Sequence, residues 1–243
     1  DICTEEGVCC PAAEAGILPG DYLLQADGQD IPDNGALARY IGSSQGEAIS
    51  FQVRREDQVF SVEVTPVYGE GSFKTGMWVR DSAAGIGTLT FYDPATGVFA
   101  GLGHPISDSD TGESVALRSG EIVACSIVGC TSGTIGSPGE LKGKFLGTHA
   151  LGSIGINGPN GVYGTLRTAL PGETRELAFA QEVVPGEAEI WATTEGETPR
   201  AYKVRIEKVN DADLCRNMIL RVTDPALLAK TGGIVQGMSG SPI

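Results

Sequence analysis

A mainly β chain in two parts is what this sequence predicts, and three observations lead there. Short runs of alternating apolar and polar residues recur along it, 35 glycines and 13 prolines punctuate them, and only residues 1–67 mix such runs with a clear amphipathic helix. With 243 residues the chain is long enough for one large β domain or two smaller ones. Hydrophobic residues make up 41% of it, so a buried core is affordable in composition. The net charge of −14 argues against nucleic acid or anionic lipid as a partner. No apolar run approaches the roughly 18 residues of a membrane span. Because the chain begins at Asp1 rather than Met, we expect that an initiator or export segment has been removed or that this is a fragment.

The first part opens with a short helix from Pro11, a Pro19-Gly20 turn, and a strand that ends in the Asp27-Gly28 turn. An amphipathic helix follows, with Asp33 or Asn34 as its cap and Leu37, Tyr40 and Ile41 on one face. Phe51 and Val53, then Phe60, Val62 and Val64, alternate with polar residues as two strands, joined by a hairpin at Arg55–Gln58. Residues 68–75, rich in glycine, read as a linker. Over residues 76–243 the pattern predicts strands at Gly87–Tyr92, Val98–Leu102, Glu121–Val128, Ala188–Thr193, Ala201–Lys208 and Met218–Val222. Single helical turns are expected at Leu177–Gln181 and Pro225–Lys230. Many short strands with turns between them predict a barrel or sandwich.

Chemistry concentrates at the end of the chain. Ser239 stands between Gly237 and Gly240, with Pro242 just beyond. Such a turn lets a hydroxyl stand clear of the backbone and leaves amide N–H groups free for a developing oxyanion. A glycine-rich surface loop has the same appearance, so the serine needs a base and a group to orient that base. Of the two histidines, His104 in Gly101-Leu-Gly-His-Pro105 is the stronger candidate, and His149 is the second. Asp224, Asp108 and Asp110 are the three carboxylates considered for the orienting role. Asp108 and Asp110 also suit turn chemistry, and their loop faintly resembles a calcium loop without its later glutamate, so no metal is expected. Cys3, Cys9, Cys10, Cys125, Cys130 and Cys215 follow no zinc spacing. Cys125 and Cys130 could bridge after export or remain buried thiols.

Two resemblances sharpen this reading. Ala15-Gly-Ile-Leu-Pro-Gly-Asp-Tyr-Leu-Leu24, with Asp27-Gly28 behind it, resembles the PDZ modules of bacterial proteases, which bind peptide tails. In that family a carboxylate-binding loop and the first strands precede this run, so the module at 1–67 is expected to be incomplete at its N-terminus. Further on, Gly103-His-Pro-Ile-Ser-Asp-Ser-Asp-Thr111, Gly136-Ser-Pro-Gly-Glu140, Val222-Thr-Asp-Pro-Ala-Leu-Leu228 and Thr231-Gly-Gly-Ile-Val-Gln-Gly-Met-Ser-Gly-Ser-Pro-Ile243 follow in order. With the module before them, these resemble the sporulation stage IV B serine peptidases of spore-forming bacteria.

The resemblance implies a chymotrypsin-like β-barrel serine peptidase domain over 76–243, cut short at its C-terminus. It implies His104 as general base, Asp224 as its orienting carboxylate and Ser239 as nucleophile, with the N–H groups of Gly237 and Ser239 as oxyanion hole. It needs no cofactor. It further implies limited proteolysis and self-cleavage, export from the forespore to the space between two membranes, and a tether in a segment outside this sequence. The expected partner is a membrane-bound regulatory subunit whose cleavage releases a late sigma factor, together with a peptide or C-terminal tail for the PDZ module. Two other readings stand beside it: a non-catalytic PDZ binding protein on a degenerate protease fold, and a metal-dependent hydrolase built on Asp108, Asp110 and His104.

Overall fold

A computed structural model describes residues 2–4, 7–210 and 217–243. Cys215 and the side chain of Cys3 lie outside the described residues. The chain divides into two compact units, one of residues 1–84 with 108–113, the other of residues 85–107 with 114–243.

The first unit contains β1 (Ile2–Thr4), β2 (Gly7–Cys9), α1 (Pro11–Glu14), β3 (Tyr22–Ala26), β4 (Gln29–Asp30), α2 (Asn34–Ser43), β5 (Ile49–Arg55), β6 (Gln58–Val64), β7 (Val67–Gly69) and β8 (Ser72–Lys74). Its main sheet is antiparallel in the order β4-β3-β5-β6. Asp27 and Gly28 both take positive φ (48° and 76°), as a two-residue hairpin between right-twisted strands requires. Asp33 is the residue that caps α2, its Oδ1 accepting from the Ala36 N–H at 2.7 Å. That fixes the helix phase, and Leu37 and Ile41 enter a core with Ala26, Ile49, Phe51, Val53 and Val64. The stretch 68–75, read from the sequence as a linker, instead pairs as the β7–β8 hairpin, with Tyr68 edge-on to Phe73 at 5.3 Å. Glycine there serves a tight turn rather than a flexible tether.

Asp21 explains the Gly20-Asp21 step of the Ala15–Leu24 run. Its Oδ2 accepts from the Leu18 N–H at 2.8 Å, and Arg55 donates to both oxygens at 2.7 Å. Arg55 also donates to the Gly16 carbonyl at 2.8 Å, so one ion pair ties the turn after α1 to the end of β5. The Asp21 side chain is 1% exposed, which makes its charge dependent on that partner.

The second unit contains β9 (Phe91–Tyr92), β10 (Val98–Leu102), β11 (Gly120–Thr131), β12 (Glu140–Gly158), β13 (Gly161–Leu166), β14 (Gly186–Ala192), β15 (Arg200–Val209), β16 (Met218–Val222) and α3 (Pro225–Thr231). A five-stranded antiparallel sheet runs β11-β12-β13-β10-β9 and curls into a half-barrel, and a three-stranded one runs β14-β15-β16. Tyr202, Val204 and Ile206 of β15 point inward while Lys203 and Arg205 stay exposed, the period-2 pattern read from the sequence. The core joins both sheets, α3 and the chain end: Ile127, Leu141, Ile190, Ala192, Tyr202, Val204, Leu227, Val235 and Met238 form one buried cluster. The strand expected at Gly87–Tyr92 is shorter, at Phe91–Tyr92, and the helical turn expected at Leu177–Gln181 is a 3₁₀ turn at Ala180–Glu182. Cys125 and Cys130 on β11 carry free thiols, both pushed up in pKa chiefly by burial.

Arg55 holds the Asp21 carboxyl below its usual range, mainly through the hydrogen bonds it donates. A lowered carboxyl stabilises the fold fully above its unfolded value, about pH 3.9, and that contribution is lost as pH falls through the folded value. Replacing Asp21→Asn should therefore cost the first unit about 1.5–3 kcal/mol at neutral pH. Amide exchange across β3 and β5, measured against denaturant, checks this. The deficit should narrow below about pH 4.

Candidate functional site

Ser239 is presented by two consecutive turns. Gly232, in left-handed conformation at φ 73°, ends α3. The N–H of Met238 then donates to the Val235 carbonyl at 3.2 Å, with Gly237 at φ 96° inside that turn. The N–H of Ser241 next donates to the Met238 carbonyl at 3.0 Å, with Gly240 at φ 80°. Met238 is 3% exposed and lies in the core, whereas Ser239 is exposed. A buried anchor directly before the serine leaves the hydroxyl side facing outward.

Both flanks of the turns are fastened to strands. The Gln236 N–H donates to the Gly139 carbonyl at 2.8 Å, and the Leu141 N–H returns a bond to the Gln236 carbonyl at 2.9 Å. Thr88 Oγ1 donates to the Gly237 carbonyl at 3.0 Å, which fixes the plane of the peptide after Gly237. Beyond the serine, the Trp191 N–H donates to the Pro242 carbonyl at 2.8 Å. Among the described residues, the N–H groups of Gly237 and Ser239 have no protein acceptor. They are available to an oxygen arriving from solvent or substrate.

The His104 loop meets these turns backbone to backbone. A Cβ on Gly103, the residue before His104, would stand 3.2 Å from the Ser239 Cβ. One on Gly240 would collide with the Leu102 carbonyl oxygen and approach Thr90 Oγ1 at 2.7 Å. The end of β10 and the serine turn can touch at this distance because Gly240 lacks a side chain, and Gly103, at φ 132°, eases the approach from the other side. The His104 ring is exposed, and its Nδ1 lies 2.9 Å from the Pro105 carbonyl oxygen. A carbonyl only accepts, so that contact places the ring proton on Nδ1 and leaves the Nε2 lone pair to take a proton.

The Asp224 carboxylate is engaged elsewhere. It caps α3, its Oδ1 accepting from the N–H groups of Ala226 (2.9 Å) and Leu227 (3.0 Å). Its Oδ2 accepts from the Lys203 N–H at 3.3 Å. These donors, Leu227 first, hold its pKa below the usual carboxylate range. Among the described residues, no hydrogen bond joins Asp224 to His104. In the sheet, β14 and β15 separate the Pro242 pairing from the Asp224 cap. The geometry thus brings together Ser239, Gly237 and the His104 loop, and gives Asp224 to the helix that launches the serine turns.

The other candidates have different employment. Arg80 pairs with Asp108 at 3.0 Å and Asp110 at 2.7 Å, and Asp108 Oδ1 also accepts from the N–H groups of Asp110 and Thr111. Both carboxylates serve a charged turn. Among the described residues, no group of three or more His, Cys, Asp or Glu could hold a metal ion, and no helix is long and apolar enough to cross a membrane. His149 is exposed in the stretch where β12 bulges between Phe145 and Ala150. The sequence did not single out Thr88, which braces the serine turn, or Asn157 and Asn160, which hold the His104 loop. A lone threonine before a strand and two asparagines in a glycine turn carry no distinguishing pattern.

Comparison with known proteins agrees with the order of these parts. The PDZ domain profile matches residues 7–55. Proteins named as candidate zinc metalloproteases match weakly in the PDZ region: one from Bartonella henselae is 34% identical over 77 residues, 32% of this chain and 22% of that protein. One from Mesorhizobium japonicum is 32% identical over 76 residues, 31% of this chain and 21% of that protein. One from Brucella suis is 30% identical over 78 residues, 32% of this chain and 21% of that protein. The chain thus spans about a fifth of the length of these relatives. The SpoIVB peptidase S55 profile covers residues 71–243, including His104, Asp224 and Ser239, and by that match the chain belongs to the SpoIVB peptidase S55 family.

Proposed function

We propose that this chain is a serine endopeptidase, with Ser239 as nucleophile and His104 as general base. The observation that carries the reading is the pairing of an exposed serine with the unpartnered N–H groups of Gly237 and Ser239, on turns packed against the residue before His104. Ser239 Oγ attacks a peptide carbonyl while His104 Nε2 takes its proton, and the oxyanion accepts from the two N–H groups. The imidazolium then protonates the leaving amine, and water repeats the sequence to release the acyl group. Asp224 is the third member implied by the resemblance. To reach the imidazole, Asp224 would have to give up its resting bonds to α3 and Lys203.

The same resemblance supports the biological setting we propose. The enzyme makes regulatory cuts during sporulation, in itself and in a membrane-bound subunit of a processing complex, after export from the forespore to the intermembrane space. Its PDZ domain takes a peptide or a C-terminal tail. The metalloprotease names of the PDZ-region relatives describe proteins of which this chain covers only about a fifth.

A fluorophosphonate probe, which phosphonylates activated serines, tests the reading on the full-length protein. Ser239→Ala should abolish labelling and His104→Ala should reduce it by roughly 10⁴-fold or more. Labelling that persists on Ser239→Ala overturns the proposal. Asn caps a helix about as well as Asp, so Asp224→Asn should fold normally yet lose about 10⁴-fold in labelling rate. A wild-type rate there would leave Asp224 as a cap alone. Gly240→Ala should slow labelling at least about 10²-fold, since the new methyl must push the serine turn off Leu102.

A further inference from the structure

The His104 loop is held at two points, one on the turn between β12 and β13 and the other at the end of β12. On one side of the histidine, the Gly103 N–H donates to the Asn160 carbonyl at 3.1 Å. On the other, the Asn157 side chain takes hold of Ile106 twice: Oδ1 accepts from the Ile106 N–H at 2.8 Å, and Nδ2 donates to the Ile106 carbonyl at 2.9 Å. The second Nδ2 proton goes to the Val115 carbonyl at 2.9 Å, with Ser114 Oγ farther off at 3.4 Å. The Val115 N–H closes the figure by donating to the same Ile106 carbonyl at 2.9 Å.

We infer that Asn157 is the positioning residue of the general base, acting through the backbone of Ile106 to set where the His104 ring stands. His104 and Pro105 are the only residues suspended between the Gly103 and Ile106 anchors. Pro105 has its φ fixed by its ring, so the loop has few backbone freedoms left once Ile106 is clamped. The Pro105 carbonyl, which receives the ring proton of His104, belongs to the peptide whose N–H is the Ile106 N–H. Gripping that N–H therefore orients the carbonyl too, because the peptide is planar. Asn157 thus governs both the place of the imidazole and the group that sets its tautomer. Only an amide side chain offers an acceptor and two donors in one fixed plane, matching a peptide N–H and two carbonyls at once. Asn157 is itself seated opposite Val162 on β13, in a paired and half-buried position rather than at a loop tip.

This inference rests on reading His104 as the base, and the test separates the two. In the full-length protein, fluorophosphonate labelling is measured as a maximal rate and a half-saturating concentration, and the His104 ring is observed by nitrogen NMR. Asn157→Ala should lower the maximal rate about 10–10²-fold with the half-saturating concentration unchanged. It should also turn one Nδ1-protonated tautomer into a mixture. Tyr202→Phe, which removes the buried Thr194–Tyr202 bond of 2.7 Å, is the stability control and should change neither readout. Asn157→Asp retains the acceptor for Ile106 but no donors, and it decides the matter if the alanine variant does not fold. It should show the same tautomer mixing. Wild-type rate and a single tautomer in the folded Asn157 variant overturn this inference alone. A wild-type rate in His104→Ala overturns the reading beneath it.

Discussion

The second unit depends on one close approach, between the backbone of Leu102–Gly103 and that of Ser239–Gly240. A Cβ at Gly240 would run into Leu102, and one at Gly103 would crowd Ser239 from a backbone conformation that side chains rarely adopt. What drives the two together is not the glycines but the anchors beside them. Met238 is buried in the core, and β10 is bound along its length to β13. Glycine removes the obstacle, and apolar burial of the neighbours supplies the force. The result is a serine fixed by its surroundings rather than by its own bonds, which is what the proposed nucleophile role asks of it.

The same logic shows why the sequence was legible in some places and silent in others. β10 and β16 fall where the short glycine-punctuated runs predict them, and Ser239 stands out because paired glycines flank it. The longest strand, β12, was missed because Gly143, Gly147, Gly152, Gly155 and Gly158 interrupt its pattern. Those glycines look like turns in the sequence, but several are packing positions. A Cβ on Gly143 would strike the Ile86 side chain, and one on Gly164 of the neighbouring β13 would meet the Phe99 ring at 2.8 Å. A glycine that makes room for another residue is indistinguishable, along the chain, from one that permits a bend.

Asp224 and Asn157 mark the limit for the site itself. Asp-Pro before a helical turn is a cap signal, and the carboxylate does cap α3. The same residue was selected as an orienting carboxylate from family resemblance, and nothing in the local pattern separates the two roles. Asn157, in Ile156-Asn-Gly-Pro-Asn-Gly161, reads as turn punctuation. Its hold on Ile106 spans two strands' worth of chain and exists only once β12 and β13 have paired. Local sequence encodes local bonds, and the groups that place a catalytic side chain are usually distant ones.

Pro105 and Asp224 also pose a question that the resting geometry answers only for the resting state. Nδ1 carries one proton, and either acceptor holding it leaves Nε2 free for the serine. As tautomer-fixing groups the carbonyl and the carboxylate are therefore equivalent. They differ once Nε2 has taken the serine proton, because a full negative charge stabilises the imidazolium more than a dipole does. A carbonyl that orients at rest and a carboxylate that contributes in the transition state are compatible assignments for one ring. At rest both oxygens of Asp224 are occupied, one by the α3 N-terminus and the other by Lys203, so that contribution requires the carboxylate to leave these partners. On the proposed reading, preorganisation of the base comes from the loop that holds it, and Asp224 enters only when charge forms on the ring.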